Sequence, residues 1–404
     1  MRMRSRIQAA ASTGDLGVLV LLMSDAMIHQ AGNAAQSAPV SIVLTGDVIL
    51  DVPDADHWLS GIAPALQAAD LAVGHLEVPH TLGGTELQGD VPAPGADPAH
   101  LAALKRAGFT VMTLAGNHIA DRGARGIADT CAELDRLGIA RVGAGMSLAE
   151  ARTPAVLQCR GRHIAVLSYN CVGPQAGWAS DTQAGCAALP LPTQGDVAVS
   201  PNATLLPPDG RALAILREDI ANARQHAQLV LVALHKGIVH TPAALAVYER
   251  PLAAAAIEAG ADVVIGHHAH IIRGIEFMRG RPVFHGLGNG CVVTHALSPG
   301  QDHPARAAWV ERRKQLFGFE PDPAYTLAPF HPEAVNAMLG RLLWHADGRI
   351  EAGFIPVYIE PPGRPVLADA QGAAHVRQYL ARITALAGLP QLQHEVRDDM
   401  TVLQ

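Results

Sequence analysis

Leu229 to Leu234 is an apolar run without a single polar side chain, and it stops on His235. The same design recurs along the chain. Val40–Leu44 runs into Thr45-Gly46-Asp47, Ala72–Leu76 into Glu77, Phe109–Ala115 into Gly116-Asn117-His118, and Asp262–Ile265 into Gly266-His267-His268-Ala269-His270. Arg281–Leu287 reads as a further strand. Strands apolar at nearly every position must be covered on both faces. Between them lie helically spaced apolar residues, such as Ile127, Cys131 and Leu134, or Leu213, Leu216 and Ile220. Strands alternating with helices predict a layered α/β fold.

Local signals place further elements. His57–Ala68 reads as a helix. Asp97-Pro98 opens another that Gly108 closes, and Gly138 stops the helix through Ile127. Ser147 and Glu150 have the spacing of a capping box. Gln158–Tyr169 reads as a hairpin turning at Arg160-Gly161-Arg162, and Asp209 caps the next helix. Thr241-Pro242 is expected to start a helix kinked by Pro251. Leu342–Glu360 reads as a late hairpin with its turn at Asp347-Gly348, and Gly372–Leu386 as the final helix.

The expected organisation is a leader or disordered segment over residues 1–39, a main domain over 40–295 with an insertion at about 173–208, and an extension over 296–404 completing the domain. The Gly/Pro-rich insertion reads as a long lid, and Ser298–His331 as a second irregular segment. Three arginines before Gly17–Met23, with small residues after it, loosely imitate a secretory signal; that pattern leaves cytoplasmic and exported locations both open. No run reaches the ~18 apolar residues of a membrane span.

Of the 404 residues, 49% are hydrophobic, enough for one large α/β domain or two smaller ones. A formal net charge of −7 gives a nucleic-acid role no electrostatic support. Five cysteines, an odd number without a CxxC pair, argue against a disulfide framework or a zinc knuckle. Twenty histidines bear more on function, because neutral imidazole binds metals and carries protons.

Five segments share one architecture, a strand end followed by metal-competent side chains. They are Gly46-Asp47-Val48, His75-Leu76-Glu77, Gly116-Asn117-His118 with Asp121, His235-Lys236-Gly237, and Gly266 to His270. Each alone has an ordinary reading as a turn, a solvated carboxylate or loop chemistry. Together they supply carboxylate, amide and imidazole ligands on separate strand ends, where a rigid sheet fixes their positions. Such a set suits Mn, Fe, Zn, Mg or Ca without choosing among them. A buried polar network without metal would leave clustered His and carboxylates costly to bury.

The order and spacing of these segments resemble the CapA-like proteins of poly-γ-glutamate capsule synthesis, related to calcineurin-like metallophosphoesterases. The resemblance rests on GDVIL at Gly46, HLEVPHT at His75, LAGNHIADRG at Leu114, GAGMSLAEAR at Gly143, LHKG at Leu234, GADVVIGHHAH at Gly260 and GLGNG at Gly286. It implies central mixed sheets flanked by helices. It also implies metal ligation by Asp47, Glu77, Asn117, His235, His268 and His270, with Glu77 a candidate bridge, and a proton carrier at His118 oriented by Asp121. The family usually has Asn where His75 stands, Trp where Lys236 stands, and Tyr-Ser-Leu-Gly-Asn-Phe where this chain has His285 to Gly290. These departures suggest an altered substrate, with His75, Lys236, His267, His285 and Asn289 as substrate-contact candidates.

Three functions follow as expectations. The first is a metal-dependent hydrolase acting on a phosphoester or a peptide or γ-glutamyl-type bond, its substrate a small molecule, a peptide or an anionic polymer. The second is a non-catalytic accessory protein for making or exporting such a polymer. The third is a metal-assisted peptide epimerase. Oligomeric state has no signature in the sequence.

Overall fold

The structure, a computed structural model, describes residues 38–87, 93–200, 203–296, 304, 308, 322–327, 331–397 and 400–404. The leader before residue 38 and most of Ser298–His331 lie outside them. Two mixed sheets stack face to face. In the first, Val40–Asp51 pairs parallel with Leu71–Leu76, and Val111–Thr113 and Ala140–Val142 continue outward in the same direction. On its other side Asn336–Trp344 and Ile350–Glu360 run antiparallel, while Asn289–Thr294 pairs parallel with the second half of Val40–Asp51. In the second sheet Arg162–Asn170, Leu229–His235, Val263–His267 and Arg281–Phe284 run parallel, with Ala155–Cys159 and Ile275–Met278 antiparallel at the edges.

Side-chain alternation along each strand sorts the core into layers. Ile42, Leu44, Leu71, Val73 and Val111 meet Ile164, Val166, Leu229, Leu231 and Ile265 between the sheets. The opposite face of the first sheet, with Val43, Ala72 and Met112, packs on Leu59, Leu104, Ile127 and Leu134 of its helices. The outer face of the second sheet, with Leu167, Val230 and Val264, packs on Leu216 and Ile220 of helix Gly210–Arg224 and on Leu252 of helix Glu249–Ala259. A helix–sheet–sheet–helix stack explains the continuous apolar strands, because both faces of the central strands are covered.

Most local signals hold. Asp97, Ser147 and Asp209 each accept a backbone N–H at a helix start, and Gly108 ends its helix at φ 109°. The hairpin turn at Arg160-Gly161 and the late hairpin are both present. Two helices differ from expectation. The stretch from His57 to Ala68 divides into Ala55–Leu59 and Ala63–Gln67, the second opening with Pro64. The helix expected from Thr241-Pro242 begins only at Glu249, so Pro251 sits in its first turn, where a missing N–H costs nothing and no kink results. The hairpin His394–Arg397 and Met400–Leu403 has no counterpart in the sequence reading. Within the expected insertion at 173–208, Cys186 packs in the core under the first sheet's helices, and Leu189, Leu191, Val199 and Leu205 pack into the second sheet's outer core. Among the described residues no helix is long and apolar enough to cross a membrane.

One close main-chain pairing positions Asp47. A Cβ on Gly46 would lie 1.9 Å from the Gly288 carbonyl oxygen, which also accepts the Asp47 N–H at 2.9 Å, so the strand bearing Asp47 lies backbone against backbone beside the turn before Asn289. Gly46→Ala is therefore expected to destabilise the protein by about 3 kcal/mol, since rigid main chain must move. Urea denaturation measures it; a loss below ~1 kcal/mol would show that the pairing is not tight.

Candidate metal centre

The polar strand ends of both sheets converge at one edge. Asp47 is fully buried and its carboxylate accepts the His268 backbone N–H at 3.1 Å. Its ligand atoms fall into two overlapping groups. Asp47, His75 and His235 bring one atom each within 4.8 Å of one another, and so do Asp47, Glu77 and His270. Asn117 Oδ1 stands 2.7 Å from His235 Nε2, and His268 Nδ1 stands 3.2 Å from that same nitrogen. Lone-pair atoms gathered at such spacing are what a shared cation requires.

Local backbone makes this convergence feasible. His268 and His270 adopt φ of 86° and 53°, a left-handed conformation uncommon outside glycine that costs on the order of 1 kcal/mol each. Gly116 passes so close to the rings that a Cβ there would sit 2.8 Å from His75 Nε2 and 3.3 Å from His235 Cε1.

Electrostatics fit a cation. Burial pushes Asp47 well above the usual carboxylate range, and the Glu77 charge adds to it. Burial, the largest influence, would raise Glu77 too, but the charge and hydrogen bond of His270 together with the neighbouring His118 and His75 hold it at about 2. For His270 burial alone would lower the pKa; Glu77 and Asp47 instead lift it to about 9. Glu77 Oε1 faces His270 Nε2 at 3.2 Å. Apart from that ion pair, neither Glu77 oxygen has a hydrogen-bond partner although both are buried. Burial holds His75 and His235 well below the imidazole range, His267 at about 4 and His268 at about 3. Neutral imidazoles beside an under-satisfied carboxylate are ready ligands.

His118 borders this cluster with its side chain 20% exposed, and its Nδ1 lies 2.6 Å from Asp121 Oδ2. The same carboxylate oxygen accepts the Ala93 N–H at 2.6 Å. His267 stacks on His75 and turns Nε2 to the Thr45 carbonyl, while Asn289 Oδ1 lies 2.9 Å from His270 Nδ1. Both shore up rings of the cluster. Lys236 and His285 lie outside it, which corrects their expected place as substrate contacts. Lys236 is fully buried with Nζ 2.7 Å from Glu249, and His285 Nε2 is 2.7 Å from Glu276.

Behind the cluster runs a buried ionic layer that the sequence reading missed. Glu249 takes Lys236 on one oxygen and Arg273 Nη1 at 2.8 and 2.9 Å; Arg273 also donates to the Ile238 carbonyl. Tyr248 Oη accepts the Gly237 N–H at 2.7 Å. These bonds fasten the segments after His235 and after His270 to helix Glu249–Ala259. The available signal was a charged residue inside the apolar run Ile271-Ile272-Arg273-Gly274-Ile275.

The family model described as "Bacterial capsule synthesis protein PGA_cap" matches residues 20–292. "PGA biosynthesis protein CapA" of Bacillus subtilis is 30% identical over 237 residues, 58% of this chain and 56% of that protein. A Mycobacterium tuberculosis protein named "Probable polyglutamine synthesis accessory protein" is 30% identical over 240 residues, 58% of this chain and 59% of that protein. The chain thus spans little more than half the length of these relatives. The crystal structure of calcineurin-like phosphoesterase YfkN from Bacillus subtilis aligns over 86% of this chain and 99% of that one, with 13% identity and a TM-score of 0.35, too loose a likeness to build on.

Two measurements follow from this geometry. Glu249→Gln leaves Lys236 and Arg273 buried without a counter-charge and is expected to cost about 3–5 kcal/mol in urea unfolding; a loss under 1 kcal/mol would mean that the layer relaxes to water. The second concerns pH. A histidine with a folded pKa below its free value of ~6.5 gains a proton only on unfolding, so its contribution is complete above pH 6.5 and lost as pH falls toward the folded value. His270 runs the other way, contributing below pH 6.5 and losing that as pH rises past about 9. With chelator present, stability should fall steeply from pH 6.5 toward 4, by ~1.4 kcal/mol per pH unit for each such histidine. A flat unfolding midpoint between pH 6.5 and 4.5 would contradict the buried neutral imidazoles.

Proposed function

The chain belongs to the bacterial capsule synthesis protein PGA_cap family, and on that premise we propose that it is a metal-dependent hydrolase acting on a γ-glutamyl-type amide or a phosphoester. The observation that carries this reading is Asp47, a fully buried carboxylate common to two separate groups of ligand atoms. In this reading Asp47, Glu77, Asn117, His235, His268 and His270 hold one or two divalent ions. Such ions, when bound, polarise a substrate oxygen and acidify water.

The remaining chemistry is the work of the chain's own groups. His118 is the proton carrier. Asp121 holds its Nδ1 and thereby fixes the ring's orientation. Its partial exposure, beside imidazoles exposed to 5% or less at His75, His235 and His268, puts it within reach of substrate. Asp47 and Glu77 supply negative charge for the ions, and the buried layer through Glu249 keeps the ligand-bearing loops from shifting. The word "accessory" in the name of the Mycobacterium tuberculosis relative supports a second reading, a non-catalytic accessory role in making or exporting a capsule polymer.

His118→Ala separates the two. With metal content by elemental analysis unchanged, it is expected to lower hydrolysis of a γ-linked glutamyl oligomer or of bis(p-nitrophenyl) phosphate by about 10²–10⁴-fold. Wild-type protein that is loaded with metal but turns over neither substrate would leave the accessory reading in its place.

A further inference from the structure

His75 is locked in place as a buried packing residue rarely is. Its ring lies between two others, 4.6 Å from His235 and 4.7 Å from His267, centroid to centroid. Its Nδ1 lies 3.0 Å from Thr113 Oγ1. That hydroxyl has one proton and donates it to the Gly74 carbonyl at 3.1 Å, so toward His75 it acts as acceptor and the proton resides on His75 Nδ1. Nε2 is thereby left with a lone pair. The atom is buried and has no hydrogen-bond partner, and a nitrogen of this ring lies within 4.8 Å of a ligand atom of Asp47 and one of His235. Metal-ligating histidines are held in this way, with the N–H of one ring nitrogen donated to a fixed acceptor and the other nitrogen left for the ion.

We propose that His75 is itself a metal ligand, through Nε2, and that with Asp47 and His235 it builds a nitrogen-rich half-site beside the oxygen-rich half-site of Asp47, Glu77 and His270. The inference rests on the metal-dependent reading above and goes beyond it in giving the two halves different preferences. Two imidazoles and one carboxylate favour a borderline late first-row ion such as Zn²⁺ or Co²⁺, whereas two carboxylates and one imidazole also suit harder ions such as Mn²⁺. Thr113 is the positioning residue that sets the His75 tautomer.

The test is titration of chelator-stripped full-length protein with Co²⁺, followed by its visible d–d absorption, for wild type, His75→Asn and Thr113→Val. The proposal expects His75→Asn to weaken Co²⁺ binding at least tenfold and to change the d–d bands, while Mn²⁺ uptake falls less. Thr113→Val, which keeps the ring but removes its anchor, is expected to shift Co²⁺ affinity in the same direction, and it decides the matter if His75→Asn does not fold. Unchanged Co²⁺ affinity and spectrum in the variants would overturn the ligand assignment and return His75 to packing, with the metal reading intact. A wild type that takes up neither Co²⁺ nor Mn²⁺ would overturn both.

Discussion

A carboxylate with no access to water is stabilised by neighbouring charge or it is protonated, and Asp47 stands at that boundary. It accepts one amide N–H from the second sheet, faces the like charge of Glu77 and lies 3.7 Å from His270 Nδ1. Two carboxylates and a raised imidazole form a set that titrates as a unit rather than as three residues. A divalent ion is a better solution to the same electrostatic problem than a proton, because one cation answers both carboxylates while the surrounding imidazoles stay neutral. The fold serves this arrangement. Gly46 lets two main chains touch, Gly116 lets two rings press on backbone, and His268 and His270 accept strained dihedrals.

The layered fold was legible because its strands are apolar at consecutive positions, and helix starts were legible at Asp97, Ser147 and Asp209 because capping is local chemistry. The polar strand ends were legible for the same reason, as side chains with nowhere to go but an edge. What stayed hidden depends on tertiary partners. Lys236 follows a ligand-type histidine and so read as a pocket residue; only the structure places Glu249 beneath it, thirteen positions on. The helix start at Glu249 was masked by Thr241-Pro242, a good start signal that the chain does not use. His75 read as a substrate contact because a sequence does not show which nitrogen a neighbouring hydroxyl claims.

The ionic layer and the apolar cores play different parts. The cores make the stack cohere, and any well-packed set of side chains would do so. Lys236, Glu249 and Arg273 act on direction: a fully buried carboxylate holding two cations admits few alternative loop conformations without losing a counter-charge. Burial alone would raise Glu249, yet these two cations hold it at about 2.

The bond between Asp47 and the His268 amide joins positions 221 apart in sequence, and Thr294 reaches Asp51 across 243. Contacts that distant close late, after loop entropy has been paid by the sheets themselves. The His118–Asp121 pair is local, but His268 meets Asp47 only once most of the described chain is in place. The second sheet's imidazoles therefore reach the first sheet's carboxylates only in a chain whose two sheets have both formed.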